Sequence, residues 1–322
     1  MIYKRWRRLS AGNFDRSPVI PTLLPSIMST SHSEPLFRHV TIIGIGLLGG
    51  SLGLALKEQG LAKTVVGIGR RPENLELAVQ MGAIDQYALE PHDAVSQSDL
   101  IVLATPVETY LPQIHLWGKD LAPSAIVSDV GSVKGQLVSK VEAQLPPSTF
   151  FVGAHPIAGK EKSGVAHADS RLFQGARCIV TPTLHTNAQA LERVRHLWKA
   201  VGSVVASMDP MDHDWVFGAV SHLPHIAAFS LMHTLEALQG RTSQPADLLN
   251  FSGGGLRDTT RIAASSPEMW RDICVANHEN LVEMVDQYIQ QLQDFRELLS
   301  KRDAPGLYEA IDRAKASRER LI

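Results

Sequence analysis

VTIIGIGLLGGSL, residues 40–52, is the stretch on which the fold turns. A β-branched run, Val40 to Ile43, leads straight into Gly44-Ile45-Gly46-Leu47-Leu48-Gly49, and helical spacing follows over residues 50–59. A lone GxGxxG is a weak signal, but a strand before it and a helix after it are the context a phosphate-binding turn needs. Gly44 permits the tight turn, Gly46 lets the backbone approach a pyrophosphate, and Gly49 lets the helix lie close to the strand. The unpaired N–H groups of the first helical turn, with its positive dipole end, then meet the phosphates. Gly44, Ile45, Gly46, Leu47, Leu48 and Gly49 are the first candidate cofactor-binding residues.

Outward from this turn the pattern repeats. Residues 64–68, 100–104, 125–130, 150–153, 178–181 and 203–206 are apolar runs of strand length, and 73–81 and 188–201 carry helical spacing. Strands alternating with helices predict a Rossmann-like, doubly wound parallel sheet over residues 38–208. From Asp209 the strand signal stops, and long helical stretches at 213–238, 267–301 and 304–321 predict an all-α domain over residues 209–322. Leu281, Val285, Tyr288, Leu292, Phe295 and Leu299 recur in alternating steps of four and three, the spacing of a helix-to-helix seam. We read the seam as a homodimer interface, with an internal bundle seam as the alternative. Residues 1–37 are basic, with four prolines and no apolar run of signal-peptide length, and read as a disordered tail or leader.

The end of the second strand bears on the choice of dinucleotide. An acidic residue there would bind the ribose 2′-hydroxyl of NAD. This chain has Gly69-Arg70-Arg71 instead. Two guanidinium groups can bind a 2′-phosphate and no carboxylate repels it, so NADP is favoured, with NAD as the alternative. Thr105, after the run at 100–104, joins Arg70 and Arg71 in the cofactor set.

The net charge of −2 supplies no field that would draw the chain to nucleic acid or an anionic membrane. Cys178 and Cys274 lie far apart in sequence and build neither a disulfide framework nor a thiolate metal site. The cysteine usage suits a reducing cytoplasm; import into an organelle through the basic tail is the second reading. Residues 215–235 hold no formal charge and are long enough to cross a bilayer. They also hold His222, Pro224, His225 and His233, which are costly in lipid, so we read a helix buried inside the protein.

Further segments follow in order: DVGSVKG (129–135), GAHPIAG (153–159), EKSG (161–164), SHLPH (221–225) and GGGLRDTTR (253–261). Together with the glycine turn they resemble the prephenate and arogenate dehydrogenases, also called cyclohexadienyl dehydrogenases, over roughly residues 38–300. The resemblance implies a Rossmann-like domain followed by a helical dimerisation domain, with the active site between them. It implies an oxidative decarboxylation in which hydride goes to a nicotinamide, a hydroxyl proton to a base, and a ring carboxylate leaves as CO2.

His155 is then the base, and its unperturbed pKa near 6.5 suits proton transfer at neutral pH. Its position just past the strand at 150–153 is where crevice residues of open α/β sheets gather. The resemblance makes Ser132 its hydrogen-bonding partner; a serine capping a helix from about Val133 is the structural alternative. The resemblance implies that Arg261, after the glycines at 253–255 and with Asp258 as the expected helix cap, grips a substrate carboxylate bidentately; a salt bridge to a nearby acid is the structural alternative. Glu161, Trp270, His225 and Ser221 line the same pocket by resemblance, and Pro224 bends the helix that carries His225. His222 and His225 share a helical face, but no third ligand follows at a metal-binding spacing, so no metal is expected. The SHLPH and EKSG segments look more like enzymes accepting prephenate than like strict arogenate enzymes. Tyrosine inhibition would act at the active site. Two other readings carry less of the sequence. One is a hydroxyacid dehydrogenase of the 6-phosphogluconate type, which would use a lysine base; the other is a non-enzymatic dinucleotide sensor.

Overall fold

The computed structural model describes residues 34–159, 162–240 and 247–321. Glu161, and the tail or leader expected before the first strand up to residue 33, lie outside the described residues.

Strands and helices alternate along the first two thirds of the chain. In order they are β1 (Phe37–Ile43), α1 (Leu47–Glu58), β2 (Ala62–Ile68), α2 (Pro72–Gln80), β3 (Gln86–Ala88), α3 (His92–Ser96), β4 (Leu100–Leu103), α4 (Tyr110–Trp117), β5 (Ile126–Asp129), α5 (Gly135–Gln144), β6 (Phe150–Pro156), β7 (Arg177–Thr181), α6 (Ala188–Ala200) and β8 (Val204–Ser207). They build one eight-stranded sheet in the order β3-β2-β1-β4-β5-β6-β7-β8. Chain order reverses between β1 and β4, and an open α/β sheet places its ligand crevice at the carboxyl edge of such a switch point.

Every residue of β4 and β5 is buried, as a sheet covered on both faces requires. The alternation of β4 divides the core in two. Leu100 and Val102 join Leu52, Leu56, Val194 and Trp198 on one face. Ile101 and Leu103 join Tyr110, Ile114, Trp117, Val138 and Val141 on the other, together with Trp270 and Ile273 from the helical region. The helical region is thus anchored on the sheet by an aromatic and an aliphatic side chain.

The sheet departs from the expected all-parallel plan at one pair. β6 and β7 run antiparallel, while every other neighbouring pair is parallel. Between them the described residues hold a 3-10 turn, Val165–His167, and no α-helix, so the chain re-enters from the edge where it left. β6 also extends through His155, which pairs with Ile179, so the histidine lies on the strand rather than just past it.

The last third is helical: α7 (Pro210–Phe217), α8 (Leu223–Leu238), α9 (Gly254–Thr260), α10 (Pro267–Ala276), α11 (His278–Lys301) and α12 (Ala304–Arg318). A π-helical turn, Gly218–His222, joins α7 to α8, and Pro224 sits in the first turn of α8. Such π segments collect at functional sites. The expectation of a buried helix at 215–235 needs correction. Within α8 only Ala228 is fully buried; Leu223, Ile226, Phe229, Leu231, Met232 and Leu235 are half-buried and Leu238 is exposed. The helical stretch Pro210–Leu238 does meet the length and hydropathy of a membrane span, yet it carries buried His213 and Asp214. The α11 seam runs out in the same way: Leu281 and Met284 are buried, while Tyr288, Leu292 and Leu299 are 39%, 53% and 63% exposed.

Candidate active site

The loop after β5, DVGSVKG, folds around two buried charges. Lys134 and Asp129 are each 1% exposed and meet at 2.6 Å between Nζ and Oδ2. Lys134 Nζ also donates to the carbonyls of Gly131 (2.7 Å) and Val133 (3.1 Å). Three acceptors use all three ammonium protons, as a buried cation demands. Asp129 in turn accepts from the backbone N–H of Gly131 at 2.9 Å and of Ala154 at 3.0 Å. The pair therefore ties the β5 loop to β6 one residue before His155.

The Lys134 backbone N–H donates to Asp214 Oδ1 at 2.7 Å, joining this loop to α7. Gly135 is required by that approach: a Cβ there would lie 2.5 Å from Asp214 Oδ2. The same Asp214 Oδ1 accepts from His213 Nδ1 at 2.8 Å, and His213 Nε2 lies 2.9 Å from His155 Nδ1. His155, His213 and Asp214 thus form a line from the sheet edge into α7. Phe217 packs against both rings, with centroids at 4.9 and 4.5 Å. Burial, followed by the nearby His213 and Lys134, pushes the His155 pKa well below its ordinary value. Burial also lowers that of His213, against the opposing pull of Asp214. His155 therefore stands as a neutral imidazole at neutral pH, the state a general base needs.

Ser132 takes a different place from the one the resemblance implied. It is half-buried in the loop between Asp129 and Lys134, and no hydrogen bond joins it to His155. His213 holds the ring instead, because α7 lays that side chain directly against β6. Ser132 caps no helix either: α5 begins at Gly135 with Lys134 as its cap residue.

A second cluster forms where the π turn, α8 and α10 meet. His225 stacks on Trp270 with centroids 3.6 Å apart and donates from Nδ1 to the Ser221 carbonyl at 2.9 Å. Arg261 begins the 3-10 turn after α9 and is near enough to His225 to lower its pKa, second to the larger lowering by burial. Asp258 lies inside α9, whose cap residue is Gly253, so it is not the expected helix cap. His222 is buried, and Asn277 Nδ2 donates both to its Nδ1 (3.0 Å) and to the Asp214 carbonyl (2.8 Å). Burial lowers the His222 pKa to about 4, so its ring is neutral with the proton on Nε2. His222 Nε2 and Trp270 Nε1 are buried donors without an acceptor among the described residues. No group of three or more His, Cys, Asp or Glu among the described residues is placed to hold a metal.

The third cluster is a cavity of about 710 Å³ at the switch point. Gly44, Ile45, Gly46, Arg70, Arg71, Thr105 and Gln113 are on its wall. Leu47, Leu48 and Gly49 open α1 behind it. Gly44 holds φ +102°, and a Cβ there would meet the Ala104 carbonyl oxygen at 2.6 Å. Nothing lies within 4 Å of the Cβ position of Gly46, and no side chain caps α1. Its first N–H groups are therefore open to a phosphate. Gln113 Nε2 donates to the hydroxyls of Thr105 (3.0 Å) and Thr109 (2.8 Å), which leaves its buried Oε1 as an unpartnered acceptor. These features fit a dinucleotide.

Residues 52–207 match the family model described as prephenate dehydrogenase, nucleotide-binding domain, and residues 209–313 match prephenate dehydrogenase, dimerization domain. The chain belongs to the prephenate dehydrogenase family. Prephenate dehydrogenase of Bacillus subtilis is 37% identical over 283 residues, covering 88% of this chain and 76% of that protein. Cyclohexadienyl dehydrogenase of Zymomonas mobilis is 31% identical over 88% of this chain and 96% of that protein. A crystal structure of prephenate dehydrogenase from A. aeolicus in complex with hydroxyphenyl propionate and NAD+ matches with a TM-score of 0.82 and 38% identity, covering 88% of this chain and 98% of that one. Synechocystis arogenate dehydrogenase matches with a TM-score of 0.75 and 27% identity, over 88% of this chain and all of that one.

As a member of this family the protein is a dehydrogenase that uses a nicotinamide dinucleotide. Its sheet brings Gly44 (after β1), Thr105 (after β4), Ser132 (after β5) and His155 (on β6) to one carboxyl edge. Sequence reasoning missed His213, Asp214, Lys134 and Asp129 as site residues. One signal was available: a lysine between apolar and glycine neighbours in DVGSVKG has no local reason to be there unless it is paired.

Proposed function

We propose that the protein oxidises and decarboxylates prephenate to 4-hydroxyphenylpyruvate, and that NADP serves it better than NAD. One observation carries the reading: a buried, neutral His155 stands at the carboxyl edge of the dinucleotide-binding sheet, with Arg261 and His225 on neighbouring helical elements. When bound, the nicotinamide accepts the hydride. His155 takes the substrate's hydroxyl proton. Arg261 grips a carboxylate, and Trp270, His225 and Ser221 shape the pocket around it, with Glu161 assigned there from the sequence alone. Aromatisation drives the loss of CO2.

The preference for NADP rests on Arg70 and Arg71, which line the cavity where an acidic residue would otherwise bind the ribose. Ser132 stays in the proposed site as a hydroxyl close in sequence to the Lys134–Asp129 pair, not as the holder of His155. Tyrosine, with a phenol and a carboxylate of its own, would compete for the same cleft. A cytoplasmic location suits the two free cysteines, Cys178 and Cys274. The test is an absorbance assay at the nicotinamide band, crossing prephenate and arogenate with NAD and NADP. We expect the highest kcat/KM for prephenate with NADP. Gly69→Asp should move preference toward NAD, after a small shift of Leu75, whose Cδ2 would lie 3.2 Å from the new Cβ. A wild type preferring NAD by tenfold or more would overturn the cofactor assignment.

A further inference from the structure

We propose that His213, oriented by Asp214, fixes which nitrogen of His155 receives the substrate proton. The proposal rests on the reading of His155 as the base and deepens it. His213 Nδ1 lies 2.8 Å from Asp214 Oδ1, a carboxylate oxygen that can only accept, so Nδ1 carries the hydrogen. A neutral His213 then presents a lone pair at Nε2, which is 2.9 Å from His155 Nδ1. That bond requires the hydrogen to sit on His155 Nδ1. The free lone pair of His155 is consequently on Nε2, and Nε2 is the basic nitrogen.

The reverse arrangement fails on the same geometry. Were His213 to donate from Nε2 while neutral, its bare Nδ1 would face the Asp214 oxygen lone pair to lone pair. A doubly protonated His213 would place a cation in a wholly buried site beside the Lys134 ammonium. The charged and titratable groups that act on the two rings lie on several packed elements. They are Asp129 on β5, Lys134 on its loop, Asp214 on α7 and His222 on the π turn. The Cys178 thiol on β7 meets the His155 backbone. Lys134 discourages a second proton on the pair, and Asp214 favours the one proton that defines the orientation.

An unconstrained neutral imidazole prefers the Nε2–H form, which has its lone pair on the wrong nitrogen for this role. His213 therefore holds His155 in the less favoured tautomer, ready for the reaction. In the step itself the substrate O–H bond breaks and an N–H bond forms at His155 Nε2. The oxygen's electron pair closes the carbonyl, and the hydride this releases is what a bound nicotinamide would accept. The resulting imidazolium keeps its Nδ1–H on His213, whose ring is polarised by the Asp214 carboxylate. Asp214 is reached through His213 and touches no reacting atom, so both act as positioning residues.

The experiment uses the full chain with 15N-labelled histidine, and the His155 resonances are assigned by their loss in His155→Asn. At neutral pH the wild-type protein without substrate should show His155 with a pyrrole-type Nδ1 and a pyridine-type Nε2. His213→Phe keeps a ring against Phe217 but removes the acceptor, and should turn His155 to the Nε2–H form. Its kcat should fall by about 10²–10³, within the span of general base catalysis, with KM changed by less than ~3-fold. His213→Gln restores an acceptor and should recover about tenfold of that loss. The proposal is overturned if wild-type His155 is the Nε2–H tautomer, or if His213→Phe keeps its turnover. If that variant does not fold, the wild-type spectrum alone decides. A His155→Asn variant with full turnover would instead overturn the base assignment, whatever the tautomer.

Discussion

The two ends of the proposed site are built in opposite ways. At the base end His155, His213, Asp214 and Lys134 are 8%, 0%, 5% and 1% exposed, and one continuous set of hydrogen bonds joins them. At the end proposed to hold the carboxylate Arg261 is exposed, His225 is half-buried, and two buried N–H groups, on His222 and Trp270, lack acceptors among the described residues. A group that must move a proton gains from being fixed beforehand, since no reorganisation is left for the moment of reaction. A group that must admit and release a charged ligand cannot be closed in the same way. The fixed end stands on the sheet and the helix packed directly against it; the open end stands on the π turn, α8 and the segments around α9 and α10.

The largest effect should appear at the fixed end. His155→Asn keeps similar bulk and removes the base, so kcat should fall by roughly 10²–10⁴ with KM nearly unchanged. The pH profile sharpens the point. Burial lowers the folded-state pKa of His155, so the active neutral form persists below the ordinary value of about 6.5. Wild-type kcat should hold as pH falls through about 6.5 and decline only as pH passes the lower, folded-state pKa. That acid limb should vanish in the Asn variant. A limb centred at or above about 6.5 would mean that the base end is wetter and looser than its hydrogen bonds imply.

At the open end the signature should be in KM. A carboxylate is gripped alike in ground state and transition state until CO2 leaves, so Arg261→Ala should raise KM for prephenate and spare kcat. A charge-assisted hydrogen bond contributes about 1.5–3 kcal/mol, which corresponds to roughly a ten- to a hundredfold rise. Initial rates across a wide prephenate range, with saturating dinucleotide, separate the two constants. An Ala variant that loses kcat but keeps its KM would erase the contrast between the two ends.

The same contrast explains what could be read in the sequence. The dinucleotide turn is local, with strand, glycines and helix inside residues 40–52, and the structure has it there. His155 and Arg261 sit in short motifs and were legible for that reason. His213 and Asp214 belong to no such pattern: they reach His155 from 58 residues away, across a contact that only folding creates. The one local trace is Gly135, whose missing side chain leaves room for Asp214 and which looks from sequence like an ordinary loop glycine. Strand direction was hidden too, because the apolar pattern of β7 is the same whichever way it runs. In α8 hydropathy marked an apolar helix and could not say that the chain would cover it only in part.

That uncovered surface leads to the smallest effect, a factor of two in mass. Tyr288, Leu292 and Leu299 stay exposed along α11, α8 fully buries only Ala228, and both lie in the region that matches the family's dimerization domain. Large apolar side chains exposed along one helix mark association sites, and heptad spacing suits a helix from a second copy. Light scattering at micromolar protein should give about twice the 35.2 kDa chain mass. Leu292→Asp places a carboxylate in the middle of the seam, where burial without a partner is costly, and should shift the mass toward a single chain. The kinetic consequence should follow the division of the proposed site. The monomeric variant should lose affinity for prephenate, because the open end stands on helices next to the seam, and should keep the acid limb of His155, which depends on contacts within one chain. A wild type that is monomeric and fully active on dilution would remove the dimer. A Leu292→Asp variant that loses the His155 limb while keeping KM would show that the two ends are not independent.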